Sequence, residues 1–283
     1  MPVSQSPNAK NNSGSCRVLA VVNQKGGVGK TTTAINLATA MAAVDKRVLI
    51  VDADPQGNAS TGLGIPRASR GAGCYELMFD GLSVEDVAQP TLIPNLSIIT
   101  SSADLAGAEI QLVTTERREF RMKDALDRST NNYDLMLIDC PPSLNLITLN
   151  ALIAANALLV PLQVEFYALE GMTSLLQTID AVRARFNPDL DIEGVVLTMY
   201  DKRNSLSTAV ERDVRAYFGE KVFETVIPRN VRVSEAPSHG KPVLLYDLKC
   251  SGSQAYMHLA SELLKRDAAF REDMRDFPEV ASA

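Results

Sequence analysis

The chain has no uninterrupted apolar run of about 18 residues, the length a membrane-spanning helix requires. Its first residues, Met1 to Pro7, carry neither the basic patch nor the apolar stretch of a signal peptide. The expected location is therefore the cytoplasm. No C-x-x-C spacing joins Cys16, Cys74, Cys140 and Cys250, and no histidine stands beside them, so neither a zinc centre nor a disulfide framework is indicated. Buried or incidental thiols are the simpler reading. An excess of positive charge is also missing: 28 basic residues face 34 acidic ones, a net charge of −6. That excludes a globally basic nucleic-acid binder, and any contact with DNA has to come from a local patch.

What is present is the composition of a folded protein, 46% hydrophobic and 22% charged over 283 residues. Residues 1–15, rich in Ser, Asn, Pro and Gly, read as a flexible arm. Residues 16–275 read as one α/β domain, and 276–283 as a short tail. Continuous apolar runs at 17–23, 47–52, 134–139, 157–161, 193–198 and 222–227 predict strands buried on both faces. Helical periodicity lies between them. Met172, Leu175, Leu176, Ile179 and Val182 share one face of a helix predicted over 169–186, and further helices are predicted to follow residue 30, to cover 207–218 and to cover 253–273. This alternation predicts a doubly wound, mostly parallel sheet flanked by helices.

The first strand runs directly into Lys25-Gly26-Gly27-Val28-Gly29-Lys30-Thr31-Thr32, and a helix starts at the end of that string. Glycines let backbone N–H groups turn inward around phosphate, and the helix N-terminus adds positive potential. Lys30 is placed to reach β- and γ-phosphates and the Thr31 hydroxyl to ligate magnesium. The usual pattern has glycine where Gln24 stands, and the departure coincides with a second lysine, Lys25. Two aspartates are expected to end apolar strands, Asp54 in the string D-x-D-P-Q-G-N of residues 52–58 and Asp139 ahead of Cys140-Pro141-Pro142-Ser143. Carboxylates at strand ends lie beside the crevice where α/β sheets bind ligands. Asp139 suits a Walker B aspartate that holds magnesium directly or through water; for both residues a turn or helix cap is the structural alternative.

The K-G-G-x-G-K-T-T form resembles the deviant Walker A of the ParA/MinD group of P-loop ATPases. In that group the early lysine crosses a nucleotide-sandwich dimer to the partner's ATP, so the resemblance implies this role for Lys25 and an ATP-dependent homodimer. The D-x-D-P-Q-G-N string is similar to the switch I region of ParA-type proteins, which implies that Asp54 positions or activates the attacking water. Asp52 then orients the loop or the magnesium shell. Similarity to Soj-type partition ATPases extends over residues 17–265, through 105–109, 139–143, 164–171, 198–199 and 227–242. It implies ATP and Mg2+ as cofactors and an adenine site at Pro228 and Asn230. It further implies non-specific double-stranded DNA binding through Arg203 and Arg232, a place on the nucleoid, and a ParB-type centromere-binding partner that stimulates hydrolysis. Lys202, Arg229 and Lys241 are weaker candidates for the same basic patch. Positioning of another cargo is the nearest alternative. A MinD-like membrane role is disfavoured because residues 262–278 hold more acidic than basic side chains, so no membrane partner is expected. An iron–sulfur role would need cysteines in a suitable motif.

Overall fold

A computed structural model describes residues 16–129, 132–166 and 168–266. The expected arm over 1–15, the tail over 276–283 and the far end of the helix predicted over 253–273 lie outside the described residues. Among the described residues seven strands form one sheet: β1 (Arg17–Val21), β2 (Val48–Asp52), β3 (Ala88–Pro90), β4 (Leu96–Ile99), β5 (Leu135–Asp139), β6 (Ala157–Gln163) and β7 (Asp191–Thr198). Their order across the sheet is β3-β4-β2-β5-β1-β6-β7. Every pairing is parallel except that of β3 with β4. The chain therefore starts in the interior of the sheet, fills one side and then crosses to the other, which is the doubly wound arrangement expected.

The helices in chain order are α1 (Lys30–Ala42), α2 (Asn58–Gly62), α3 (Cys74–Phe79), α4 (Val84–Val87), α5 (Ala108–Thr114), α6 (Arg121–Leu126), α7 (Leu146–Ala154), α8 (Glu170–Arg185), α9 (Ser205–Phe218), α10 (Val231–Glu235), α11 (Val243–Tyr246) and α12 (Ser251–Arg266). They divide between two apolar layers because successive strand residues point to opposite faces. In β1, Val18 and Ala20 enter a core shared with α3, α6, α7 and α8, whereas Leu19 and Val21 enter a second core shared with α1, α11 and α12. Both faces of the strand must be apolar, and that is why it reads as an unbroken apolar run.

The sheet differs from expectation in two respects. Residues 222–227 form no strand; they meet β7 through an isolated bridge of Val222 with Val195 and through the amides of Phe223 and Ile227, which donate to the Val195 and Leu197 carbonyls at 3.0 and 2.8 Å, and beyond their end Pro228 bridges Tyr200. Side chains take the backbone groups in between. The Arg215 guanidinium donates to the carbonyls of Phe223 and Glu224 at 3.1 and 3.4 Å, and the Glu262 carboxylate accepts from the amides of Glu224 and Thr225 at 2.8 and 3.0 Å. The second difference is that β3 and β4, of three and four residues, carry too little pattern to be read from sequence, yet they complete one side of the sheet.

Candidate nucleotide site

Three neighbouring strands end at the same level. In the ladders Val21 pairs with Asp139, and Asp139 pairs with Asp52. The glycine-rich loop that leaves β1 therefore faces two carboxylates across adjacent strand ends, at the edge where such sheets bind ligands. Asp139 closes β5 as expected. Asp54 does not close β2; the strand stops at Asp52, and Asp54 sits two residues on, in a turn. Its own groups make that turn, Oδ1 accepting from the Gln56 amide at 2.9 Å and the carbonyl from the Gly57 amide at 2.8 Å.

The loop is anchored from both flanks. Asn23 is buried, donating through Nδ2 to the Pro161 carbonyl at 2.8 Å while its Oδ1 accepts from the Lys25 amide at 2.9 Å. The Thr198 hydroxyl at the end of β7 donates to the Val28 carbonyl at 2.8 Å. Gly27 and Gly29 hold φ of 75° and 91°, a region that side-chain-bearing residues rarely adopt. A Cβ at Gly26 or Gly27 would meet nothing within 4 Å, so the loop has open space beside both glycines. Gly29 also starts α1, whose first amides point at this space.

Lys30 is 6% exposed, and its Nζ donates to the Lys25 carbonyl at 3.0 Å. Burial lowers its pKa, opposed mainly by the nearby Asp139 carboxylate and also by Asp54. Thr31 and Thr32 form the first turn of α1, and the Thr32 carbonyl accepts from Asn36. Asp139 is wholly buried. Its pKa is pushed well above the ordinary range, first by desolvation and then by the Asp52 charge, with the Thr31 hydroxyl pulling the other way. Asp52 is raised to about 6, again by burial first, although the Ser60 amide and hydroxyl donate to its Oδ2 at 2.8 and 2.6 Å.

These carboxylates fit a cation. Neither oxygen of Asp139 receives a well-formed hydrogen bond, nor does Oδ1 of Asp52, and a buried carboxylate left this way is costly unless a proton or cation joins it. Among the described residues no group of three His, Cys, Asp or Glu is set to hold a metal unaided. A magnesium ion at Thr31 and Asp139 would complete its shell with water and phosphate oxygens, the ligands this ion favours.

The remaining expected residues are spread around this centre. The Lys25 ammonium pairs with the Glu165 carboxylate of its own chain, a partner the sequence did not signal. Pro228 lines a cavity of about 760 Å³ together with Tyr200, Lys202, Arg203, Arg229 and His258. The adenine candidate and one DNA candidate thus share a wall. Asn230 does not line that cavity; it caps α10 by accepting from the Arg232 amide at 2.8 Å and donates to the Ser251 hydroxyl at 2.9 Å. Arg203, with its side chain 89% exposed, pairs with Asp201 at 2.9 Å. Arg232 pairs with Glu235 at 3.0 Å and Asp247 at 3.6 Å. Sequence reasoning passed over Asn23 and Thr198, which hold the loop, and Arg70, which lies on the Asp54 turn. Asn23, placed between strand and loop, is the one with a positional signal.

Comparison with known proteins agrees with this geometry. A family model described as an AAA domain matches residues 16–192. The chain is 61% identical over 253 residues to the chromosome partitioning protein ParA of Caulobacter vibrioides, covering 89% of this chain and 95% of the relative. It is 51% identical over 247 residues to the sporulation initiation inhibitor protein Soj of Bacillus subtilis, covering 87% and 98%. Among solved structures, cobyrinic acid a,c-diamide synthase from Mycobacterium smegmatis with a bound ATP analog and magnesium superposes with a TM-score of 0.78. That protein is 36% identical, over 88% of this chain and 95% of that one.

Proposed function

This chain belongs to the ParA/Soj family of P-loop ATPases, and from that membership we propose that it is the DNA-segregation ATPase of a chromosome-partitioning system, an ATP-driven dimer that holds DNA until it hydrolyses. Its cofactors are ATP and magnesium, in keeping with the ATP analog and magnesium bound in the similar cobyrinic acid a,c-diamide synthase structure. The observation that carries the proposal is the alignment of three strand ends, which gathers Lys30, Thr31, Asp139 and the Asp54 turn around one open loop.

In this reading the loop amides of residues 25–30 and the Lys30 ammonium bind the β- and γ-phosphates. Thr31 and Asp139 hold magnesium, which neutralises charge on the phosphate oxygens. Asp54 orients a water whose oxygen attacks the γ-phosphorus; the bond to the β–γ bridging oxygen breaks, ADP leaves, and the water's proton passes by way of Asp54 to the released phosphate. Positioning and charge supply most of the rate in such transfers. Lys25 leaves Glu165 to reach the partner's nucleotide, so the second subunit completes the site and ATP becomes the signal for association. Pro228 and Asn230 border the base. Arg203 and Arg232 contact DNA phosphates without reading sequence. A ParB-type protein stimulates hydrolysis and releases the dimer, and the protein works in the cytoplasm on the nucleoid.

The test compares the wild type with Asp54→Ala by ATP turnover, sedimentation and DNA gel shift, each with ATP and with ADP. The expected result is wild-type DNA binding with ATP only, and in the variant a persistent ATP dimer on DNA with turnover lost. Equal DNA binding with ADP would remove the switch, and normal turnover in the variant would remove Asp54 from its role.

A further inference from the structure

Arg70 lies outside every recognised motif, yet its guanidinium binds three separate stretches of chain. Nη2 donates to the Gly57 carbonyl at 3.0 Å and to the Thr61 hydroxyl at 2.8 Å; Nε and Nη2 both reach the Ile65 carbonyl at 3.3 Å; Nη1 donates to the Ser101 carbonyl at 3.2 Å. Gly57 is the residue whose amide closes the Asp54 turn. The same fork therefore grips that turn, the loop after α2 and the chain leaving β4.

Local geometry is shaped around this contact. Gly57 has φ of 66°, and a Cβ there would lie 2.1 Å from Nη1. Only glycine permits both the turn and the guanidinium against it. Ser60 braces the unit from within, donating to Asp52 and accepting from the Ser101 amide at 3.2 Å. Ser101 is thus held by its carbonyl from Arg70 and by its amide from Ser60. None of these bonds involves the phosphate-binding loop.

We propose that Arg70 is the positioning residue for hydrolysis: its guanidinium fixes the Asp54 turn, so that the carboxylate stays in line for the attacking water, while nucleotide binding is left to the glycine-rich loop. The inference rests on the reading of Asp54 given under Proposed function. Lysine cannot replace it, because a compact ammonium cannot reach acceptors spread along a planar fork.

The test measures single-turnover ATP hydrolysis, ATP affinity and thermal midpoint for wild type, Arg70→Ala, Arg70→Lys and Asp54→Ala, with and without millimolar guanidinium ion. Misplacing a reacting group by about an ångström costs roughly 100-fold. Arg70→Ala is therefore expected to slow hydrolysis by about 10- to 100-fold while ATP affinity stays within about twofold. Arg70→Lys is expected to show the same split, which keeps the test available if the alanine variant does not fold. Guanidinium should restore part of the Arg70→Ala rate and none of the Asp54→Ala rate. Wild-type hydrolysis in both Arg70 variants beside an inactive Asp54→Ala would overturn the role of Arg70 alone. Wild-type hydrolysis in Asp54→Ala would overturn the underlying reading, and loss of ATP affinity in step with rate would reduce Arg70 to a structural brace.

Discussion

At the scale of single residues, the site is held together at the expense of stability. Asp139 is buried between strands with a pKa raised above its ordinary 3.8, by desolvation first and the Asp52 charge second. From pH 3.8 up to its folded pKa, the native state keeps a proton that the unfolded chain has released, so stability falls as pH rises through that window. Asp139→Asn removes the charge at nearly constant shape. Without nucleotide, this variant is expected to melt above the wild type at about pH 8, with the gap shrinking toward about pH 4, while magnesium-dependent ATP binding drops. Melting curves across that pH range check the sign, and a gap that does not depend on pH would contradict it. Residue identity made the candidates legible: a glycine-rich string with two lysines and a paired-aspartate string are locally specific. The partners of those residues were not legible, because Glu165 stands 140 positions from Lys25 and nothing in the local pattern around either names the other.

At the scale of elements, α1 carries the phosphate-binding loop at its start, and its position depends on α12. Tyr256, Leu259 and Leu263 of α12 are buried in the core they share with Leu37 and Met41 of α1, and the Tyr256 hydroxyl lies 3.4 Å from that of Thr33. Leu259→Ala opens a cavity under the helix and is expected to lower the unfolding free energy by about 2–5 kcal/mol. Urea denaturation measures the loss, and a change below about 0.5 kcal/mol, the size of an ordinary surface substitution, would contradict the packing described. The long helices were readable from periodicity, since α8 and α9 each differ from expectation by two residues or fewer at either end. The segment 222–227 was misread because its composition suits a strand, whereas Arg215 and Glu262, brought in from other elements, take carbonyls and amides of residues 223–225 and leave the Phe223 and Ile227 amides to bond β7.

At the scale of the whole molecule, a chain with a net charge of −6 can bind DNA only through a local field. Arg203 and Arg232 are both exposed and both paired with carboxylates on their own surface, so in the proposed DNA-binding role phosphate has to compete with Asp201, Glu235 and Asp247. Replacing both arginines with alanine is expected to abolish the ATP-dependent gel shift while sedimentation still finds the dimer. In any residual binding, the slope of log affinity against log salt should fall by about 0.9 for each phosphate that is no longer neutralised. An unchanged slope would place the DNA-binding patch elsewhere.

The sequence alone determined what depends on neighbours within a few positions: the glycine loop between strand and helix, the doubly buried strands, and the aspartates near their ends. Tertiary structure decided what depends on strand order. Only the placement of β5 between β1 and β2 sets Asp139 beside both the loop and Asp52, and only the return of the chain after α2 lays Arg70 on the Asp54 turn. The physical reason is that backbone conformation is chosen locally by periodicity and by glycine, whereas which distant segments meet is settled by loop closure and by the burial of both sheet faces at once.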